Sequence, residues 1–110
     1  MNIASFLADI NWNEDKPAIQ VMLETSSTKE IRIAMRNGQH MKEHKAPFPI
    51  VVEVLSGKIN FGVEEENSVL TQGQMIGLEA NVSHGLTALE ESVVRLSLSK
   101  FDSVQRVQQV

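Results

Sequence analysis

The chain has 110 residues, 42% of them apolar and 22% charged, with a formal charge of −4 and no cysteine. That length and balance describe one globular domain with a single core, residues 1–110, and exclude a disordered chain. Ten Lys and Arg against fourteen acidic residues exclude a cationic nucleic-acid surface. The lack of cysteine excludes disulfides and thiolate chemistry and makes a reducing cytoplasm the expected compartment.

The N-terminus shows no basic region leading into an apolar run, since Ala4, Ser5 and Asp9 interrupt its apolar residues, so a secretion signal is not expected. No apolar stretch approaches the roughly 18 residues that cross a bilayer, so no membrane partner is expected either. Ile3, Phe6, Leu7 and Ile10 recur at i, i+3, i+4 and i+7, which predicts a short helix over 3–10 capped by Asn2. Pro17 ends this stretch.

From Ala18 to Ser99 the period changes to two. Ile19, Val21 and Leu23 alternate in a first strand, and Ile31, Ile33 and Met35 alternate in a second against Arg32, Ala34 and Arg36. Asn37-Gly38 marks a turn, followed by a polar stretch to Pro49. The segment Ile50 to Leu55 is almost continuously apolar and rich in β-branched residues, so both of its faces should be at least partly covered. Ser56-Gly57-Lys58 turns into Ile59, Phe61 and Val63, and Glu64 to Ser68 reads as a solvated tip. Met75–Leu78, His84–Ala88 and Val94–Leu98 complete about eight short strands, a rhythm that predicts a sandwich or barrel with its core over about 18–99. The polar tail 100–110, with Val104, Val107 and Val110 three apart, reads as a frayed end or a segment laid along a partner subunit.

Two frames stand inside this rhythm. Gly38, His44 and Gly57 keep the spacing of glycine, histidine and glycine in the first motif of the cupins, with Ala46 where that motif has its second histidine and Ile50 where it has its glutamate. Gly73 and His84 keep the spacing of the second cupin motif, with Glu79 in place of its proline and Asn81 in place of its glycine. Over Ile31 to Leu98 the chain thus resembles the small single-domain, RmlC-like cupins, which implies an all-β fold, a small antiparallel jelly-roll barrel. The expected molecule is that barrel with a short N-terminal helix.

In metal-dependent cupins three histidines and a glutamate hold a divalent ion such as zinc, iron, manganese or nickel. Only His44 and His84 carry over to this chain, with His40 as the candidate third ligand if a sharp bend brought it in. A stable site normally needs at least three protein ligands. With Ile50 taking the glutamate's inward direction, Ile50, Val52 and Val54 point inward and Val51, Glu53 and Leu55 outward. His44, His84, Ile50, Val52, Met35, Phe61 and Leu86 then line a largely apolar pocket whose polar corner is the imidazole pair. The alternative is that side chains simply fill the lumen of so small a barrel.

Three functions remain open from the sequence. The first is binding of a small organic molecule, as in sensor-like barrels resembling the sugar-binding domains of transcription regulators. The second is a metal-dependent cupin enzyme of dioxygenase, isomerase or lyase type with a reduced ligand set. The third is a structural, dimeric interaction module. The sequence does not decide whether the chain is catalytic. Outward Val51 and Leu55, together with the resemblance, lead to the expectation of a homodimer.

Overall fold

In the computed structural model, which describes all 110 residues, nine antiparallel strands form two sheets. The strands are β1 (Ala18–Glu24), β2 (Thr28–Met35), β3 (His40–His44), β4 (Ile50–Ser56), β5 (Lys58–Val63), β6 (Glu66–Thr71), β7 (Met75–Leu78), β8 (His84–Ala88) and β9 (Ser92–Ser99). One sheet runs β1-β2-β9-β4-β7 and the other β3-β8-β5-β6. Consecutive strands repeatedly fall in opposite sheets, the connectivity of a jelly roll. No helix is long and apolar enough to cross a membrane.

The period of two becomes the core. In β4, Ile50, Val52 and Val54 are buried while Val51, Glu53 and Leu55 keep partial exposure, as the inward direction of Ile50 requires. Ile31, Ile33 and Met35 of β2, Ile59 and Phe61 of β5, Leu86 of β8 and Val94, Leu96 and Leu98 of β9 meet them between the sheets. Each such side chain contributes about 1.5–3 kcal/mol of burial, so the core is what holds the two sheets face to face.

The outer face of the larger sheet is polar and partly roofed. Arg95 bridges Glu30 and Glu53, both at 3.2 Å. Arg32 is only 3% exposed because the N-terminal segment lies across it. Its guanidinium donates to the carbonyls of Phe6, Ala8 and Asp9 and, at 2.9 Å, to Gln20 Oε1.

That contact corrects the helix expected over 3–10. The segment is irregular, with a turn near residues 6–9 and Asp9 at φ 52°. An eight-residue helix is marginal without packing. Here Arg32 gathers the carbonyls of Phe6, Ala8 and Asp9 in an irregular turn, and Ile3 and Leu7 of the would-be apolar face remain 85% and 59% exposed, so a helix would gain little packing.

The helix of this fold is instead at the other end. Ser103 caps α1 (Val104–Gln108) by accepting from the Arg106 N–H. Val107 is buried and Val104 and Val110 pack against the core, so the tail is docked on the barrel of its own chain. Asp102 and Arg106, four apart, close the turn with an ion pair at 2.8 Å.

Two strands were hidden by polarity. Glu66 to Ser68, expected in a solvated tip, belong to β6, an edge strand paired with β5 through a two-residue turn at Glu64-Glu65. Glu64 adopts the left-handed φ of 56° that such a turn needs. Every side chain of β6 except Leu70 is exposed, so polar residues there cost no desolvation. The other hidden strand is β3, which carries His40 and His44.

Candidate functional site

The site is built where the end of β3 meets the start of β8. Met41 pairs with Leu86 and His44 with His84, so three steps on β3 oppose two on β8, and the extra residue is a β-bulge. Strict alternation would put His40 on the face of His44. The bulge resets the parity, turning Met41 and His44 both inward and leaving His40 exposed beside Thr87.

The two imidazoles stand with ring centroids 4.3 Å apart and planes inclined by 59°. His84 also stacks on Phe61, centroids 5.8 Å apart and planes within 4°, which fixes its ring from behind. Each histidine is tied back by the same local device. His44 Nδ1 lies 2.7 Å from the Lys42 carbonyl oxygen and His84 Nδ1 lies 2.9 Å from that of Val82, in both cases two residues upstream. A carbonyl can only accept, so each Nδ1 donates its hydrogen and the neutral ring leaves an acceptor lone pair on Nε2.

Electrostatics favour the same neutral state. Burial lowers the pKa of His44 below its ordinary 6.5, opposed by the bond to the Lys42 carbonyl and reinforced by the charges of His84 and Arg106. Burial likewise lowers that of His84, opposed by the Val82 carbonyl and reinforced by Arg106. Near neutral pH the pair is therefore two acceptors rather than two cations.

Six apolar residues (Ile33, Met41, Ile50, Val52, Leu86 and Leu96) and Arg106 join the two histidines around a small cavity. The centre of a water-sized sphere can move through only about 10 Å³ of it, room for about one water. Of the residues expected at the pocket, His44, His84, Ile50, Val52 and Leu86 meet there. Met35 and Phe61 do not: both are wholly buried in the core, Phe61 as the platform under His84. The lumen is thus largely filled by side chains, as so small a barrel allows.

Sequence reasoning missed Met41, hidden in a stretch taken as polar, and Arg106. Arg106 comes from α1, and its Nε and Nη2 meet Asp102 Oδ1 and Oδ2 at 2.8 and 2.9 Å. The Asp102 side chain is 1% exposed, and the Arg106 guanidinium and the Ser103 N–H hold its carboxyl below the usual range despite burial. The available signal was the valine spacing together with Asp102 and Arg106 four apart behind a capping serine.

The donor set does not fit a divalent metal. No three His, Cys, Asp or Glu side chains come together anywhere in the structure. The positions that would complete the set hold Ala46 and Ile50, both buried hydrocarbon, while His40 is exposed on the wrong face. The third polar group at the cavity is the cation of Arg106, which opposes a bound cation.

The two-sheet jelly roll is the cupin fold, and solved structures match it over most of their length. An RmlC-like cupin from Desulfovibrio desulfuricans superposes with a TM-score of 0.81 at 15% identity, covering 90% of this chain and 96% of its own. A Klebsiella pneumoniae protein with a double-stranded β-helix domain gives 0.78 at 20% identity, over 90% and 89% of the two chains. KdgF from Halomonas gives 0.75 at 18% identity, over 90% and 94%. At such identities the likeness extends to the fold, and activity has to be argued from the site. No family model matches the sequence, and no curated protein matches it.

Proposed function

We propose that this cupin binds a small organic molecule through the His44–His84 pair and does so without a metal. The observation that carries the reading is the state of the pair: two adjacent imidazoles whose Nδ1 hydrogens are committed to carbonyl oxygens, leaving both Nε2 atoms as acceptors. Two acceptors in an apolar setting suit a ligand that brings hydrogen-bond donors, such as hydroxyls. Since the enclosed space holds about one water, uptake requires the cavity wall to yield.

Metal analysis of protein purified without a histidine tag, followed by a thermal-shift screen of hydroxylated compounds, tests this. The expected result is no stoichiometric metal and a stabilising ligand whose effect is lost in His44→Gln and His84→Gln. A ligand at a hundredfold excess over its Kd adds roughly 2.7 kcal/mol of stability. Stoichiometric metal lost in both variants would reverse the reading.

We propose also that a second copy covers the outer face of the larger sheet. Half-exposed Val51 and Leu55 support this, as does Leu7 beside Leu55 on the same face. An isologous contact pairs a patch with itself, which suits a surface carrying Arg95 between Glu30 and Glu53. A monomeric mass by light scattering at working concentration would eliminate it.

A further inference from the structure

The polar groups at the cavity are of two kinds. The imidazole Nε2 atoms accept, and the cationic Arg106 guanidinium donates. A guanidinium has five N–H groups. Three are engaged: Nε and Nη2 with Asp102, and Nη1 with the Lys45 carbonyl at 3.4 Å, the longest of the three. Two N–H groups are left over, and no carboxylate lines the cavity to take them.

A molecule that satisfies both kinds of group carries an anionic oxygen pair and a hydrogen-bond donor on one short carbon skeleton. We propose that the pocket takes a small hydroxy carboxylate, its carboxylate on the free edge of Arg106 and its hydroxyl donating to an imidazole Nε2, and that Arg106 selects this class. The proposal rests on the binding reading above and gives it a ligand chemistry.

The mounting of Arg106 suits this role. Its inner edge is anchored on Asp102, which is itself buried and tied to the barrel through Lys29 Nζ on the Asp102 carbonyl at 2.8 Å. Its outer edge is held only by the long contact to Lys45, and the side chain is 24% exposed. A ligand carboxylate can replace the Lys45 contact while the Asp102 pair stays intact. Charge-assisted, two-point recognition of a carboxylate is what arginine does better than lysine. The cavity admits about one water, so a ligand enters only where its wall yields.

Calorimetric titration tests the proposal with two probe sets: glycolate, lactate, glycerate and gluconate on one side, propionate, propane-1,2-diol and glucose on the other. The proteins are wild type, Arg106→Gln, Arg106→Lys and His84→Gln, each first shown to unfold cooperatively. The expected result is binding of a hydroxy acid at least about tenfold tighter than of propionate or the neutral compounds. That preference disappears in Arg106→Gln and survives in part in Arg106→Lys, and the imidazole proton resonances of His44 and His84 shift on binding. A neutral compound that binds in a His84-dependent manner, equally in wild type and Arg106→Gln, would overturn the role of Arg106 and leave the imidazole-pair reading standing. Failure of every probe to bind would overturn both.

Discussion

Gly85 lies directly against the bulge that positions His44: a Cβ at Gly85 would stand 3.0 Å from the Met41 carbonyl oxygen and 3.3 Å from the Glu43 nitrogen. Both are backbone atoms of a paired strand, so neither can rotate aside. A side chain at Gly85 would require the bulge backbone to give by a few tenths of an ångström, so glycine suits the close approach of β8 to the extra residue of β3.

Substituting Gly85→Ala should shift the bulge of β3 relative to β8 and disturb the spacing of the imidazoles. The expected cost is about 1–3 kcal/mol by urea unfolding, the usual range for forcing atoms into a close-packed contact. The pKa of His44, measured by NMR titration, should move back toward 6.5 as the ring becomes better solvated. Unchanged stability together with an unchanged pKa would show that the bulge does not depend on this glycine.

Acid should weaken the fold in a window set by the histidine pair. Both imidazoles have folded-state pKa values below 6.5, so in that region the unfolded chain binds more protons and stability rises with pH. Their contribution is complete above about pH 6.5 and is lost as pH falls from there through the lowered folded values. Asp102, itself lowered from 3.8, adds a separate loss only in stronger acid. Denaturant midpoints measured from about pH 7.5 down to about 4.5 should decline, and the decline should be shallower in His84→Gln. A flat profile would contradict the burial of the pair.

Placing donors at residues 46 and 50 should create a metal site. Ala46 and Ile50 are 3% and 4% exposed and occupy the frame positions of the second histidine and the glutamate of metal-dependent cupins. The double variant Ala46→His with Ile50→Glu should retain about one nickel or zinc ion per chain after dialysis, by elemental analysis, because it brings the donor count to four. A folded double variant that retains no metal would mean that these positions do not converge on His44 and His84.

Arg32 should prove to be the clasp of the N-terminal segment. Three of the groups that its guanidinium engages are carbonyls of residues 6 to 9. Arg32→Ala should leave the barrel folded, lower its stability by about 1–3 kcal/mol, and expose the first dozen residues to limited proteolysis about tenfold faster. An unchanged cleavage rate would mean that the segment is held by its apolar contacts alone.

Much of this arrangement is legible in the residues. The inward set of β2, β4, β5, β8 and β9 follows from a period of two, and the frames around Gly38, Gly57 and Gly73 place His44 and His84 at one end of the barrel. The helix over 3–10 is legible only as a pattern, because what holds the segment is Arg32, far along the chain, and the apolar face of the pattern finds little to pack against. His40 misleads for a similar reason: parity runs along a strand only until a bulge resets it, and the bulge depends on what β8 allows.

The sequence by itself determined the class of fold and the absence of donors at residues 46 and 50, since alternation and motif spacing are local and Ala46 and Ile50 carry no donor in any conformation. Only the tertiary structure decided that His44 and His84 are tilted together at 4.3 Å, that the lumen behind them is nearly full, and that the third polar group is Arg106. Those outcomes depend on packing between segments far apart in the chain, where the shape left over by one side chain sets what another can do.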